Sequence, residues 1–545
     1  MNSLVSTLRV RRVLLALAAA ASLFLTAGCG SSSPAKGNQV GFGNSSLSGT
    51  YVFSSTGSDS TVNGFLLAVA GSFTANGSGG NNNITGGMID INGFSLTGPF
   101  STAITGGTYS VNSDGRGKVT LNCNCIGSSI TLDFVLTASS GGPSGVSTHG
   151  LITEFDGNGS GSGTLDLQNS GSLQGAYSFG LAGGSLSGNQ LPLAMVGTFT
   201  PNNGSITAGL ADINANGIIP GLLSGLTLTG SVTAGSPGTA TFNAYNSSDQ
   251  LVATYNFDVY MIDPTHLKFI ETDTGQILAG DAFTQQTSLP QSVYAYTAQG
   301  LDSTGTPMAM GGFFTSDGSS GINTGLEDIN DAGIVTEVTG ITGNFTPFAG
   351  GRTEINLSGF NNGNPAIQNA TFAAYPSSGG IQLLEIDANL GVTGGFALPQ
   401  GSSTTIAAAN YALNLTAING TNQTLIEEDD IAQFAVTGSN YTGVEDINDQ
   451  GSPNPPVNFD GTFAVDTAVA GHGSGTSSSG QFNFNYFLAN NGATALILET
   501  DGTQLGVGSF EFQTTSQLQG GLAHIAVPRL VVTRTHGAFR GKAKQ

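Results

Sequence analysis

Residues 71–93 read GSFTANGSGGNNNITGGMIDING. Apolar and β-branched residues gather in Phe65–Thr74 and again in Ile84–Asn92, and the Gly/Asn-rich centre between them turns the chain. The stretch is therefore two β-strands joined by a turn. Its phrases return along the chain. Asp-Ile-Asn occurs at Asp90, Asp212, Asp328 and Asp446. GSFTANG at Phe73 becomes GTFTPNNG at Phe199 and GFFTSDG at Phe314, and degrades to AQFAVTG at Phe434. A third marker opens each unit: GTYVF at Tyr51, GAYSF at Tyr177, VYAYT at Tyr294 and NYALN at Tyr411. A fourth, Glu-x-Asp, closes an apolar stretch: ITEFD at Glu154, FIETD at Glu271, LLEID at Glu385 and LILETD at Glu499. Four markers in a constant order at a nearly constant interval are internal repetition.

Within the first unit the pattern places strands near Thr50–Ser54, Phe65–Thr74, Ile84–Asn92, Gly107–Val111, Lys118–Asn122, Ile130–Thr137, Thr148–Phe155 and Gly163–Leu167. SDGRG, Ser113–Gly117, is a hairpin signal. No long apolar repeat at helical spacing follows the first 28 residues. About eight strands in roughly 115 residues fit one small antiparallel barrel or sandwich. The expected fold class is all-β, in four tandem antiparallel barrel- or sandwich-like units: 47–168, 169–289, 290–402 and 403–514. The period is too long for propeller blades, and the apolar alternation and aromatic girdles of an outer-membrane barrel are not evident. The opening G-x-Y-x-F is similar to the G-x-W start of lipocalins, which supports a barrel.

The ends differ from this body. Residues 1–28 carry Arg9, Arg11 and Arg12, then an apolar run Val13–Leu25, then Thr26-Ala27-Gly28 before Cys29. This is the order of a secretory signal, and the apolar run is too short for a membrane span. The segment Thr26–Cys29 resembles the lipobox of bacterial lipoproteins. The resemblance implies cleavage before Cys29 and lipidation of its thiol, and more than one acyl chain gives stable anchoring. By the same resemblance, Gly30 after the cysteine favours the outer membrane. Residues 29–46 read as a Gly/Ser tether. Residues 515–545 hold five cations and no carboxylate. There HIAVPRLVVTR, His524–Arg534, reads as a last strand before a basic tail. The whole plan, through GTYVF, GSFTANG, DING and EFDGNG, resembles Gly-rich tandem-repeat lipoproteins of Gram-negative bacteria, a resemblance that implies no activity.

All 35 carboxylates lie between Asp59 and Glu511, where the cations are Arg116, Lys118, Lys268 and Arg352. Such a surface repels nucleic acid and anionic lipid, so nucleic acid is not an expected partner. Cys123 and Cys125 read as a local disulfide or two idle thiols rather than a redox pair. The five histidines are scattered with no metal-ligand spacing, which argues against zinc. No nucleophile elbow, triad or phosphate loop is present. The recurring carboxylates could suggest a glycosidase, but a catalytic site seldom needs four copies, and the chain has no tryptophan platform for a sugar. An enzyme is not expected.

The one expected cofactor is calcium. Few carboxylates can find a Lys or Arg, and oxygens clustered in turns suit a hard cation. The candidate ligands are Glu327, Asp328, Asn330 and Asp331; Glu445, Asp446, Asn448 and Asp449; Glu385 and Asp387; and Glu499 and Asp501. The alternative is that these side chains cap turns. The expected function is a lipid-anchored cell-envelope protein of structural or adhesion type, its units stacked as a stalk. Its partners would be the membrane, through the lipid, and an envelope or extracellular glycan or protein. The alternative is a small-ligand or glycan binding module. A filled unit interior favours the first and a lined cavity the second.

Overall fold

The computed structural model describes residues 41–513, apart from 63–64, 94–95, 97, 140–144, 186–190, 216–222, 303–305, 360–368, 388–391, 420–425 and 481. Cys29, the signal, most of the tether and the basic tail lie outside the described residues.

The described chain is antiparallel β-structure in four closed barrels. Barrel I runs from Ser48 to Leu167, barrel II from Tyr177 to Thr284, barrel III from Ser292 to Pro399 and barrel IV from Asn410 to Phe512. In barrels I and II the strands pair in sequence order, and the last returns to the first. Barrel III closes in the same way through Pro307–Ser316 and Gly321–Asp331, with the short strand Ile334–Thr339 hanging outside the closed ring. Barrel IV closes through Ile426–Thr437 and Asn440–Asp449. Barrel, not sandwich, is the architecture. Closure removes the edges that tandem sheets would otherwise expose.

Two of the repeated markers are halves of one contact. Tyr51 stands opposite Phe73, Tyr177 opposite Phe199, Tyr294 opposite Phe314 and Tyr411 opposite Phe434. The rings stack at centroid distances of 6.0, 5.2, 5.3 and 5.4 Å. Each tyrosine hydroxyl donates to a backbone carbonyl, of Ser147, Pro264, Pro290 and Ala407 respectively, so burial leaves no stranded donor. Aromatic rings fill the interiors beyond these pairs. In barrel II, Phe179, Phe199, Phe242, Phe257 and Phe269 touch one another in turn. Comparable clusters occupy the other three barrels.

The units do not form a stalk. The first strands of each barrel pack on the last three strands of the next, and barrel IV packs on barrel I in the same manner. The four barrels therefore close into a ring of head-to-tail contacts. Each junction has its own apolar seam. Val52, Leu66 and Ala68 meet Tyr260 and Ile270 at I–II. Ala194 and Val196 meet Tyr375 and Leu384 at II–III. Ala309 and Phe313 meet Phe487 and Leu496 at III–IV. Ala412 and Ile431 meet Val135 and Leu151 at IV–I. Strands such as His266–Glu271, Gly380–Glu385 and Thr494–Glu499 are consequently buried on both faces. This is why their apolar runs end at Glu without clean alternation.

Candidate functional site

The other two markers meet at the junctions. The Asn of each Asp-Ile-Asn donates its side-chain amide to the carbonyl of the Glu in the next barrel's Glu-x-Asp. Asn92 reaches Glu271 at 2.8 Å, Asn214 reaches Glu385 at 3.0 Å, Asn330 reaches Glu499 at 2.9 Å, and Asn448 returns to Glu154 at 2.6 Å. Three of them also bond the carbonyl that opens the following strand, at Gln276, Gln504 and Gly159. The hairpin parts at this point, and the neighbour's amide satisfies buried carbonyls that have left the ladder.

The Asp of each phrase is met from the next barrel by a side chain whose type varies between junctions. Tyr260 donates to Asp90 at 2.5 Å. Arg352 grips Asp212 through Nε at 2.8 Å and Nη2 at 3.1 Å, with the Tyr375 hydroxyl at 2.5 Å. His472 and Asn485 bond Asp328 at 2.9 and 2.8 Å. Arg116 lies 3.6 Å from Asp446. A further contact repeats that the sequence markers did not include. Gln168, Gln285, Gln400 and Gln513 each follow a last strand, and each donates to a backbone carbonyl of the next barrel, at Met261, Gly350, Ala470 and Leu136. Their near-constant spacing was visible in the sequence.

The scarce cations of the body act mainly at these seams. Lys268, fully buried, lies 3.0 Å from Asp281 in its own barrel and 3.5 Å from Asp166 of barrel I. Asp166 in turn lies 2.5 Å from His149, which faces Glu511 of barrel IV at 3.5 Å. Buried charges persist when so paired. Lys118 pairs with Asp133 inside barrel I, at 3.1 Å.

The residues expected to hold calcium divide between the wall of each barrel and its interior. Asp328, Asn330, Asp446 and Asn448 are junction residues, as above. Asp387 accepts the backbone N–H of Thr371, and Asp501 those of the Asn483 backbone and side chain, each locking the neighbouring strand of its own barrel. Asp449 accepts from Asn454 at 3.1 Å, and half-buried Asp331 is pushed up to about 6 by burial and by Asp302. Glu327, Glu385, Glu445 and Glu499 are buried. In barrel IV, Glu445 and Glu499 stand with Glu428 and Asp430, two residues the phrases did not point to. Burial raises the pKa of Asp430, Glu445 and Glu499, and neighbouring carboxylates raise it further. Both carboxyl oxygens of Glu499 lack a hydrogen-bond partner. Cys123 and Cys125 form a disulfide.

At the III–IV junction the donor atoms of Asp328, Glu337 and His472 lie within 4.8 Å of one another. Asp328 and Glu337 are directly opposite on paired strands. His472 Nδ1 faces Asp466 Oδ2 at 2.9 Å. Burial alone would lower the His472 pKa, but its bonds to Asp328 and Asp466 raise it above the ordinary value.

No family model and no curated protein matches the chain. Among solved structures, a Nitrosomonas europaea protein provisionally named AttH is 11% identical, over 64% of this chain and 92% of its own, with a TM-score of 0.14. A likeness of that size carries no argument about function.

Proposed function

We propose that the chain is a lipid-anchored protein of the cell envelope whose four barrels form one body, and that this body serves a structural or adhesive role rather than a catalytic one. The observation that carries this reading is the filled interior of each barrel, where stacked rings and aliphatic side chains occupy the space a ligand would need. The repeated side chains with chemical potential are spent largely on junctions. The lipobox-like segment before Cys29 supplies the anchor in this reading.

The test combines labelling, fractionation and attachment. A fatty-acid analogue should label the wild type and not Cys29→Ser, and the wild type should sediment with the outer membrane. Cells lacking the protein should attach less well to envelope polysaccharide or host matrix, and the unanchored Cys29→Ser chain should not restore attachment. Equal labelling of the two chains would overturn the anchor. Unchanged attachment in the deletion strain would overturn the adhesive role.

A further inference from the structure

Three junctions set a Tyr or Arg against the Asp of Asp-Ile-Asn, but the III–IV junction sets an imidazole there. We propose that Asp328, Glu337 and His472 form a site for a divalent transition-metal ion of the zinc class, held between barrels III and IV. Their donor atoms already converge within 4.8 Å. The convergence has a cause in the fold. Asp328 and Glu337 share one face because they are direct cross-strand neighbours. His472 begins the strand His472–Ser477 of barrel IV, its ring stacked on Phe487 at 5.4 Å.

The surroundings are those of a ligand set. His472 Nδ1 is held by Asp466, which leaves Nε2 directed at Asp328. A carboxylate behind a histidine fixes its tautomer and makes it a better metal donor. Asn485 holds Asp328 Oδ2 at 2.8 Å, while Asp328 Oδ1 is buried with no hydrogen-bond partner. That orphaned oxygen is a second, independent sign of a missing ligand. By contrast, both oxygens of Asp212 are occupied by Arg352, with Tyr375 and Ser224 beside them.

One nitrogen and two carboxylates suit zinc better than calcium, which takes oxygen ligands. Two carboxylates balance the charge of the ion. Glu337 is exposed, so a water can complete a tetrahedron from the solvent side. Ligand atoms around tetrahedral zinc stand about 3.3 Å apart, so the 2.9 Å contact between His472 and Asp328 need open only slightly.

The test is calorimetric titration of the purified chain with Zn²⁺, paired with thermal melts in Zn²⁺ and in chelator and with the visible spectrum of the Co²⁺ form. One ion should bind per chain, raise the melting temperature and give the intense visible band of a low-coordinate Co²⁺ site. Asp466→Asn should weaken binding by about 10- to 100-fold, and His472→Gln should abolish it. Glu337→Gln, at an exposed side chain, should weaken binding by about tenfold or more while leaving the melting temperature in chelator close to that of the wild type. Excess Ca²⁺ should not displace Zn²⁺. Absence of saturable Zn²⁺ binding, or equal affinity in wild type and Glu337→Gln, would overturn the site and leave His472 as an ion-pair partner alone.

Discussion

Asn448, near the end of the last barrel's third strand, donates its amide to the carbonyl of Glu154 in the first barrel at 2.6 Å. The same amide reaches Gly159 at 2.9 Å. These bonds join the two ends of the barrel series and repeat at the closure what Asn92, Asn214 and Asn330 do within it.

Asn448→Leu should therefore weaken the whole body. It strands two buried carbonyls, each costing about 1–3 kcal/mol when left unsatisfied. Urea unfolding should show a lower midpoint, and the loss should exceed that of a Leu substitution at an exposed asparagine such as Asn81. Equal midpoints for wild type and Asn448→Leu would contradict a closed ring.

Proteolysis should cut without dispersing. The connections between barrels lie near residues 168–176, 285–291 and 400–409, outside the strands. Denaturing gels should then show fragments of one, two and three units. Size-exclusion chromatography should still show a particle of native size, because every barrel is held by two neighbours. Separation of the fragments under native conditions would argue against the junctions.

Stability should fall as pH rises from about 5 to about 9. Glu445 is pushed up to about 8 by burial, then by Glu428 and Asp446. Above about pH 4.5 the unfolded chain releases this proton while the folded chain keeps it, so stability falls progressively until the folded value is passed. His149 acts in the same direction. Burial alone would lower it, but Asp166 and Glu511 raise it to about 9. Its stabilisation is full below about pH 6.5 and is lost as pH rises through the folded value. Asp281, depressed by Lys268 and His266 against the effect of burial, sets the acid limit, its contribution disappearing below about pH 4. Thermal melts across this range should show the decline, and Glu445→Gln should flatten it. A melting temperature that rises from pH 5 to pH 8 would refute the argument.

Gly311 faces barrel IV, and a Cβ there would stand 2.3 Å from the Phe487 ring. Gly311→Val should cost about 1–3 kcal/mol through overpacking at the junction. In a Phe487→Ala background the same change should cost less, because the ring that it strikes is gone. Equal costs in the two backgrounds, read from denaturant midpoints, would place the strain elsewhere.

The sequence by itself determined the strands and their fourfold repetition. Each strand read in the first unit is present, although most extend further than the apolar residues alone indicate, as at Ser48–Asp59. Backbone pairing continues through Gly, Ser and Asn, whose side chains give little periodic signal. Alternation also placed Glu385 on the face of Leu383, and both are buried in barrel III. Only the tertiary structure decided that Asp-Ile-Asn and Glu-x-Asp bond each other across successive barrels. In a repeat every copy carries both phrases, so their order cannot distinguish a contact within one copy from a contact with the next. Nor could the order show closure, which depends on the rotation from each barrel to its neighbour summing to a full turn. His472 and Asp328 make the same point. They are 144 positions apart in the chain and 2.9 Å apart in space, and ligand spacing along a sequence is informative only when one local element supplies the ligands, whereas here two barrels do.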